Sequence, residues 1–99
     1  MNKFGDAIRT RREEKDLLLR HVAASLDIDT AMLSKIERGE RKAKREQVIE
    51  FAKLLQLNEM ELLTLWLADK VYDVIQEEDL GLNALKVAEK EFKYDKKKL

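Results

Sequence analysis

The chain has 99 residues, with no proline, only three glycines and 40% charged residues, which favours one small helical domain. It has no cysteine and one histidine, which excludes a disulfide framework, a thiolate metal site and a zinc centre, and no apolar run approaches the ~20 residues of a membrane span. The formal net charge is zero, but residues 1–53 carry thirteen Lys/Arg against ten Asp/Glu and residues 54–99 carry seven against ten, so only the front half is suited to face a polyanion.

Apolar residues at helical spacing predict four helices in the first 55 residues. Their approximate ranges are 2–15, 19–26, 30–38 and 45–55. Asn2 can cap the first of them and Asp29 the third, because both side chains carry an oxygen that accepts from free amide groups. Gly39 suits the left-handed position that ends the third helix.

A fifth helix is predicted to open at Asn58, in the sequence NEME, which resembles a capping box. Its apolar pattern extends to about Glu78, and Gly81 interrupts it. A last amphipathic stretch then carries one apolar stripe, formed by Leu82, Leu85, Ala88 and Phe92. We expect residues 93–99, KYDKKKL, to fray. The predicted class is all-α.

The second and third helices are joined by LDID, a tight polar connection. Ala23 lies near the close approach of the two helices, where only a small side chain fits. This is a helix-turn-helix arrangement, in which the second helix can enter a major groove about 12 Å wide while the first crosses the backbone.

Residues 4–63 resemble the Cro/C1-type (Xre-family) helix-turn-helix domain, and LSKIERGER, residues 33–41, is the most specific part of the resemblance. The resemblance implies a five-helix lambda-repressor-like DNA-binding domain over residues 1–66, followed by a helical C-terminal extension over residues 67–99. Leu18 stands where the family usually has a capping Ser or Thr. Asp27 replaces the customary turn glycine, and Asp tolerates a left-handed backbone better than most residues.

The resemblance also implies which side chains meet DNA. The positions that point into the groove hold Thr30, Ala31, Ser34 and Lys35. The phosphate contacts are assigned to Arg20, Arg38, Arg41 and Lys42. The alternative for both groups is an ordinary solvated surface. Arg12 and Glu37 occupy the positions of a structural ion pair, which would neutralise a glutamate close to phosphate.

The extension is predicted to be a dimerisation element, because its apolar residues exceed what the edge of so small a domain can hide. The proposed interface consists of Val71, Val74, Ile75, Leu82, Leu85 and Phe92. The alternative is that the last helix folds back on its own domain and the fifth helix alone forms the interface.

We therefore expect a cytoplasmic, homodimeric regulator of transcription that binds double-stranded DNA at a palindromic operator, as a repressor or a restriction–modification controller. The alternatives are the antitoxin of a toxin–antitoxin pair, with a toxin as partner, or a protein-interaction module that has lost DNA binding. The sequence contains no paired carboxylates, nucleophile–base set or Gly-rich phosphate loop in a supporting context, so we expect no enzyme, metal or cofactor.

Overall fold

The structure, a computed structural model, describes residues 1–98, and this part of the chain forms six α-helices and no strand. The helices are α1 (Lys3–Glu14), α2 (Leu19–Ser25), α3 (Thr30–Glu37), α4 (Arg45–Leu55), α5 (Glu59–Ile75) and α6 (Gly81–Lys98). The predicted all-α class is confirmed. Helix α5 runs without a break across residue 66, so the domain boundary expected there falls inside a helix.

None of the helices in residues 1–98 is long and apolar enough to cross a membrane.

Helices α1 to α5 surround one hydrophobic core. Each helix contributes apolar side chains three or four positions apart, which is the spacing that places them on one face. Phe51 of α4 lies at the centre and is fully buried, and its ring meets that of Phe4 edge to face, with centroids 5.8 Å apart. This geometry is preferred by aromatic pairs. The other completely buried large side chains are Ile8, Leu33, Ile36, Leu55, Val22 and Val48.

Three helices end in the same way, with a residue of positive φ directly after the helix cap. These residues are Asp16 (φ 55°), Asp27 (φ 57°) and Gly39 (φ 77°). After α3, the amide of Gly39 donates to the carbonyl of Ile36 and that of Glu40 donates to Lys35, the bonding pattern of a Schellman motif. The left-handed conformations predicted for Asp27 and Gly39 are therefore confirmed.

The start of α1 is capped differently from the prediction. The side chain of Asn2 makes no capping hydrogen bond, and its Nδ2 instead donates to the carbonyl of Glu37, 2.8 Å away. The free amides of Lys3 and Phe4 donate to the two carboxylate oxygens of Asp69, at 3.0 and 2.9 Å. A carboxylate also suits the positive end of the helix dipole, so α5 supplies the cap that Asn2 does not.

The break between α5 and α6 lies earlier than expected. Helix α5 ends at Ile75 rather than near Glu78, and Gly81 is the first residue of α6 instead of the interruption itself. A Cβ atom on Gly81 would lie 2.8 Å from the carbonyl oxygen of Ile75, which is too close for any other residue without movement. The glycine thus permits a tight connection between the two helices.

The expected fraying of residues 93–98 is wrong, because α6 continues to Lys98; the last position of that prediction, Leu99, lies outside the described residues. Lys93 forms an ion pair with Glu89 one turn earlier, at 2.8 Å, and the ammonium of Lys96 lies 5.3 Å from the ring centroid of Phe92. The Glu89 hydrogen bond raises the pKa of Lys93. Both contacts stabilise the last turns of α6. Lysines near the C-terminus of a helix, the negative end of its dipole, stabilise it as well.

Candidate nucleic-acid interface

The turn between α2 and α3 is held by backbone hydrogen bonds and a small side chain. The amide of Asp27 donates to Ala24 and that of Ile28 donates to Ala23, at 3.2 and 3.0 Å. Ala23 is buried where the two helices approach, which a larger side chain would prevent. Leu18, at the start of α2, makes no side-chain cap, but its amide donates to Nδ1 of His21 at 3.3 Å. The helix-turn-helix predicted here is therefore present.

Helix α3 is presented to solvent along one side. The carboxylate of Asp29 accepts from the amide of Met32 at 2.6 Å and fixes the first turn. Leu33 and Ile36 are buried in the core and set the rotation of the helix. Of the four residues assigned to base contact, Ser34 is half-buried and the others are exposed: Thr30, Ala31 and Lys35. Within the described chain, Lys35 has no ion-pair partner.

Arg38 is held at the end of α3 by two neighbours. Its guanidinium donates to the carboxylate of Glu40, with the shorter bond at 2.7 Å, and to the hydroxyl of Ser34 at 2.9 Å. The sequence assigned Arg38 to phosphate and Ser34 to a base, and the structure links the two. Glu40 offsets part of the Arg38 charge, although both side chains are more than half exposed.

The other three cations assigned to phosphate differ in their surroundings. Arg20 and Arg41 are exposed, and neither has an ion-pair partner among residues 1–98. Lys42 forms an ion pair with Asp73, near the end of α5. Arg41 is thus available for an anionic ligand, whereas Lys42 must leave a carboxylate to meet one.

The segment after α3, residues 38–45, is fixed to α5 through an aromatic side chain. The indole of Trp66 is buried, and its Nε1 donates to the carbonyl of Ala43 at 2.8 Å. The ammonium of Lys70 lies 3.5 Å from the ring centroid of Trp66, and the guanidinium of Arg45 lies 5.3 Å from it. Cations over an indole face are attracted to it. These contacts fix the segment after α3 against α5.

This geometry agrees with what known proteins show. A family model described as a helix-turn-helix domain matches residues 3–65, which is more than half of the chain. The chain belongs to the helix-turn-helix family. Its function class is that of a DNA-binding transcriptional regulator, which confirms the resemblance at this level.

The fold also occurs in a solved structure, that of the clp gene regulator ClgR from Corynebacterium glutamicum. The two chains are 23% identical and superpose with a TM-score of 0.59, over 78% of this chain and 82% of ClgR. The match therefore covers more than the helix-turn-helix domain. Among curated proteins, none matches the sequence of this chain.

In this helix-turn-helix protein, Arg12 and Glu37 form a bidentate ion pair beneath α3. Nε and Nη2 of Arg12 donate to the two carboxylate oxygens of Glu37 at 2.7 and 3.1 Å, and Nη1 donates to the carbonyl of Leu17 at 2.9 Å. Only 13% of the Arg12 side chain and 5% of the Glu37 side chain are exposed. The hydrogen bond that Arg12 donates to Glu37 raises the pKa of Arg12 despite its burial. The pair ties α1 to the recognition helix α3.

A second link between α1 and α3 depends on close backbone contact. A Cβ atom on Gly5 would lie 2.4 Å from the carbonyl oxygen of Glu37, and one on Gly39 would lie 2.8 Å from Cγ of Asn2. The hydrogen bond from Asn2 to Glu37 spans the same contact. The end of the recognition helix is therefore held by both the backbone and the side chains of α1.

Two residues that hold the helices in place, Asp69 and Arg11, were not predicted from the sequence. Asp69 follows Leu62 and Trp66 on the buried face of α5, so an acidic residue on an apolar stripe was the available signal. Arg11 donates to the carbonyls of Leu55 and Gln56, at 2.9 and 3.0 Å, and thereby satisfies the end of α4. The many arginines of α1 gave no sign of which one would do this.

The residues assigned to the dimer interface lie on the outside of the described chain. Ile75 is half-buried, and the others are exposed: Val71, Val74, Leu82, Leu85 and Phe92. Every side chain from Leu82 to Lys97 is exposed, so α6 does not cover its own domain.

Proposed function

We propose that this chain is a sequence-specific regulator that binds a palindromic operator as a homodimer and represses transcription, either alone or as a restriction–modification controller. The observation that supports this most is the exposed side of α3, capped at Asp29 and rotated by Leu33 and Ile36. Thr30, Ala31 and Lys35 thereby lie on the side of α3 that would face a major groove. A lysine suits the O6 and N7 acceptors of guanine, and an alanine suits the methyl group of thymine.

Arg20 and Arg41 are proposed to contact phosphate on either side of the groove, joined by Arg38 and Lys42 from the fixed segment after α3. Phosphate contacts set affinity and register, and base contacts set sequence preference. A two-fold dimer would place two copies of α3 about 34 Å apart, so that both enter successive major grooves on one side of the duplex.

Salt dependence of binding tests this proposal. The double substitution Arg41→Ala and Lys42→Ala is expected to weaken binding to all sequences, because each phosphate contact releases counterions. The slope of log K against log salt should flatten by about one for each lost contact. Fluorescence anisotropy with DNA from upstream of the gene, and with a scrambled duplex, measures both quantities.

Lys53→Ala is the matched control, because Lys53 is an exposed lysine outside the proposed contact set. Its salt slope should equal that of the parent protein. If the double variant also keeps the parent slope, then the DNA lies elsewhere on the protein.

The exposed apolar residues of α5 and α6 support a second candidate, an antitoxin whose extension binds a toxin. Sedimentation of the purified chain separates the two. A stable dimer would cover these residues without another protein and would favour the homodimeric regulator. A monomer that binds DNA weakly would favour the antitoxin.

A further inference from the structure

Helix α5 is apolar on two opposite faces. Leu62 and Trp66 face the core and are buried. The other face is defined here as the outer face of α5, and it consists of Met60, Leu67, Val71 and Val74. These four lie within about 60° of one another at 3.6 residues per turn, and each is between 44% and 78% exposed. A helix that is apolar on both sides is expected to be covered on both.

Helix α6 carries a second uncovered stripe. Leu82, Leu85 and Phe92 lie within about 80° on the helix, and they are between 40% and 65% exposed. Two apolar surfaces of one chain are thus open at the same time, and they follow each other along the sequence. Large uncovered apolar patches mark association sites.

The segments that contain the two helices also have opposite charge, although in the first of them Asp69 is buried against α1 and Asp73 is paired with Lys42. Residues 54–80 carry seven acidic residues and one lysine, a balance of −6, whereas residues 81–99 carry six lysines and three acidic residues, a balance of +3. The net negative charge of residues 54–99 is therefore confined to residues 54–80. Four lysines of α6 form one stripe next to Leu82, at positions 86, 90, 93 and 97. The lengths agree as well, with 17 and 18 residues.

We propose that α6 of each copy lies along the outer face of α5 of a second copy, in a reciprocal exchange. This inference rests on the homodimer of the proposed function and specifies how it is built. A two-fold exchange covers both stripes in both copies, and it brings the basic helix to the acidic segment. The second copy is the occupant because it supplies a surface that matches α6 in apolar pattern, charge and length.

Disulfide mapping tests the exchange directly, because the chain has no cysteine of its own. Two singly substituted chains with different tags, Leu67→Cys and Leu85→Cys, are coexpressed and oxidised. A disulfide forms only where Cα atoms come within about 7 Å. Val71→Cys and Val74→Cys replace Leu67→Cys in parallel experiments, so that each register is sampled.

The exchange predicts a disulfide between the two different chains for at least one register, and none between identical chains. Links between two copies of the α5 variant, or between two copies of Leu85→Cys, would mean that like helices pack together and would overturn the proposal. So would an internal disulfide in a monomeric Leu67→Cys, Leu85→Cys double variant, which would mean that α6 folds back. A lack of any link in all registers would overturn it too.

Charge reversal provides an independent measurement. The variant Lys86→Glu, Lys90→Glu is expected to raise the dimer dissociation constant about tenfold, since two favourable pairings in each of the two exchanged contacts become repulsive. Mixing it with Glu77→Lys, Glu78→Lys should restore a heterodimer. If reversal leaves the dissociation constant unchanged, or if mixing restores nothing, the lysines of α6 do not meet the acidic segment of a second copy and the proposal is overturned.

Sedimentation and operator binding of the unmodified protein distinguish failure of the exchange from failure of the proposed function. If the chain is dimeric and binds its operator but gives only links between like helices, the exchange fails and the proposed function stands. If the chain is monomeric at all concentrations, the homodimer of the proposed function fails, and the exchange fails with it.

Discussion

The first five helices and α6 differ in how their side chains are used. In the five-helix part, an ion pair with little exposure, a buried indole and two glycines hold the recognition helix from below. In residues 1–98, no buried side-chain nitrogen or oxygen lacks a hydrogen bond. In α6, by contrast, every side chain from Leu82 to Lys97 is exposed. The first part has the contacts of a unit that folds alone, and the second has the surface of an element that needs a partner.

Truncation after Glu78 is expected to have the largest effect. It removes α6 and leaves the helix-turn-helix, so the protein should remain folded but dimerise weakly. Operator affinity should fall by about 10²–10⁴, because the second half-site is no longer bound within the same complex. Circular dichroism, sedimentation and anisotropy check the three outcomes. A truncated protein that sediments as a dimer of undiminished stability would show that α6 does not hold the dimer together.

Glu37→Ala tests the stability of the five-helix part. The substitution leaves Arg12 without its partner in a position that is 13% exposed, and it should lower the free energy of unfolding by about 3 kcal/mol. Chemical denaturation of the free protein measures this. Glu40→Ala is the matched control, since that carboxylate pairs with Arg38 at the surface, and it should change stability by less than about 1 kcal/mol. Equal losses in both variants would contradict a special role for the buried pair.

Lys35→Ala tests the exposed side of α3 in the five-helix part. We expect a loss of about 1–3 kcal/mol on the operator and a relaxed preference at one base position, because a lysine donates to guanine acceptors in the groove. Binding to a full set of single-base operator variants checks the second point. If operator and scrambled DNA weaken equally, Lys35 contacts phosphate rather than a base.

The sequence predicted the helix positions well because they depend on local signals. Helix α4 has the predicted bounds, and α1 and α3 end within one residue of them. The left-handed residues Asp27 and Gly39 also followed from local geometry. The end of α5 was misplaced, because the apolar pattern continues into the connection that begins at Gln76.

The contacts between distant parts of the chain could be predicted only in part. Family resemblance assigned Arg12 to Glu37, but nothing local indicated that Asp69 would cap α1. That contact depends on how α5 packs against α1, and a side chain that is polar in the sequence carries no sign of its partner. The same holds for Lys42, whose partner Asp73 lies 31 residues away.

The ion pair of Lys42 with Asp73 lies within the five-helix part, where it links the segment after the recognition helix to the end of α5. Lys42 must leave Asp73 before it can contact phosphate, and the carboxylate itself would repel DNA. Asp73→Asn is therefore expected to strengthen binding to all sequences by about two- to fivefold, which corresponds to the loss of an exposed pair. Glu14→Gln removes an equal charge at the exposed end of α1, and it should have less effect. In a Lys42→Ala background the gain should disappear, and anisotropy on one duplex measures all five proteins: the parent, the three single variants and the double variant. A gain of the same size without Lys42 would mean that Asp73 acts through its charge alone and that the pair does not restrain the basic segment.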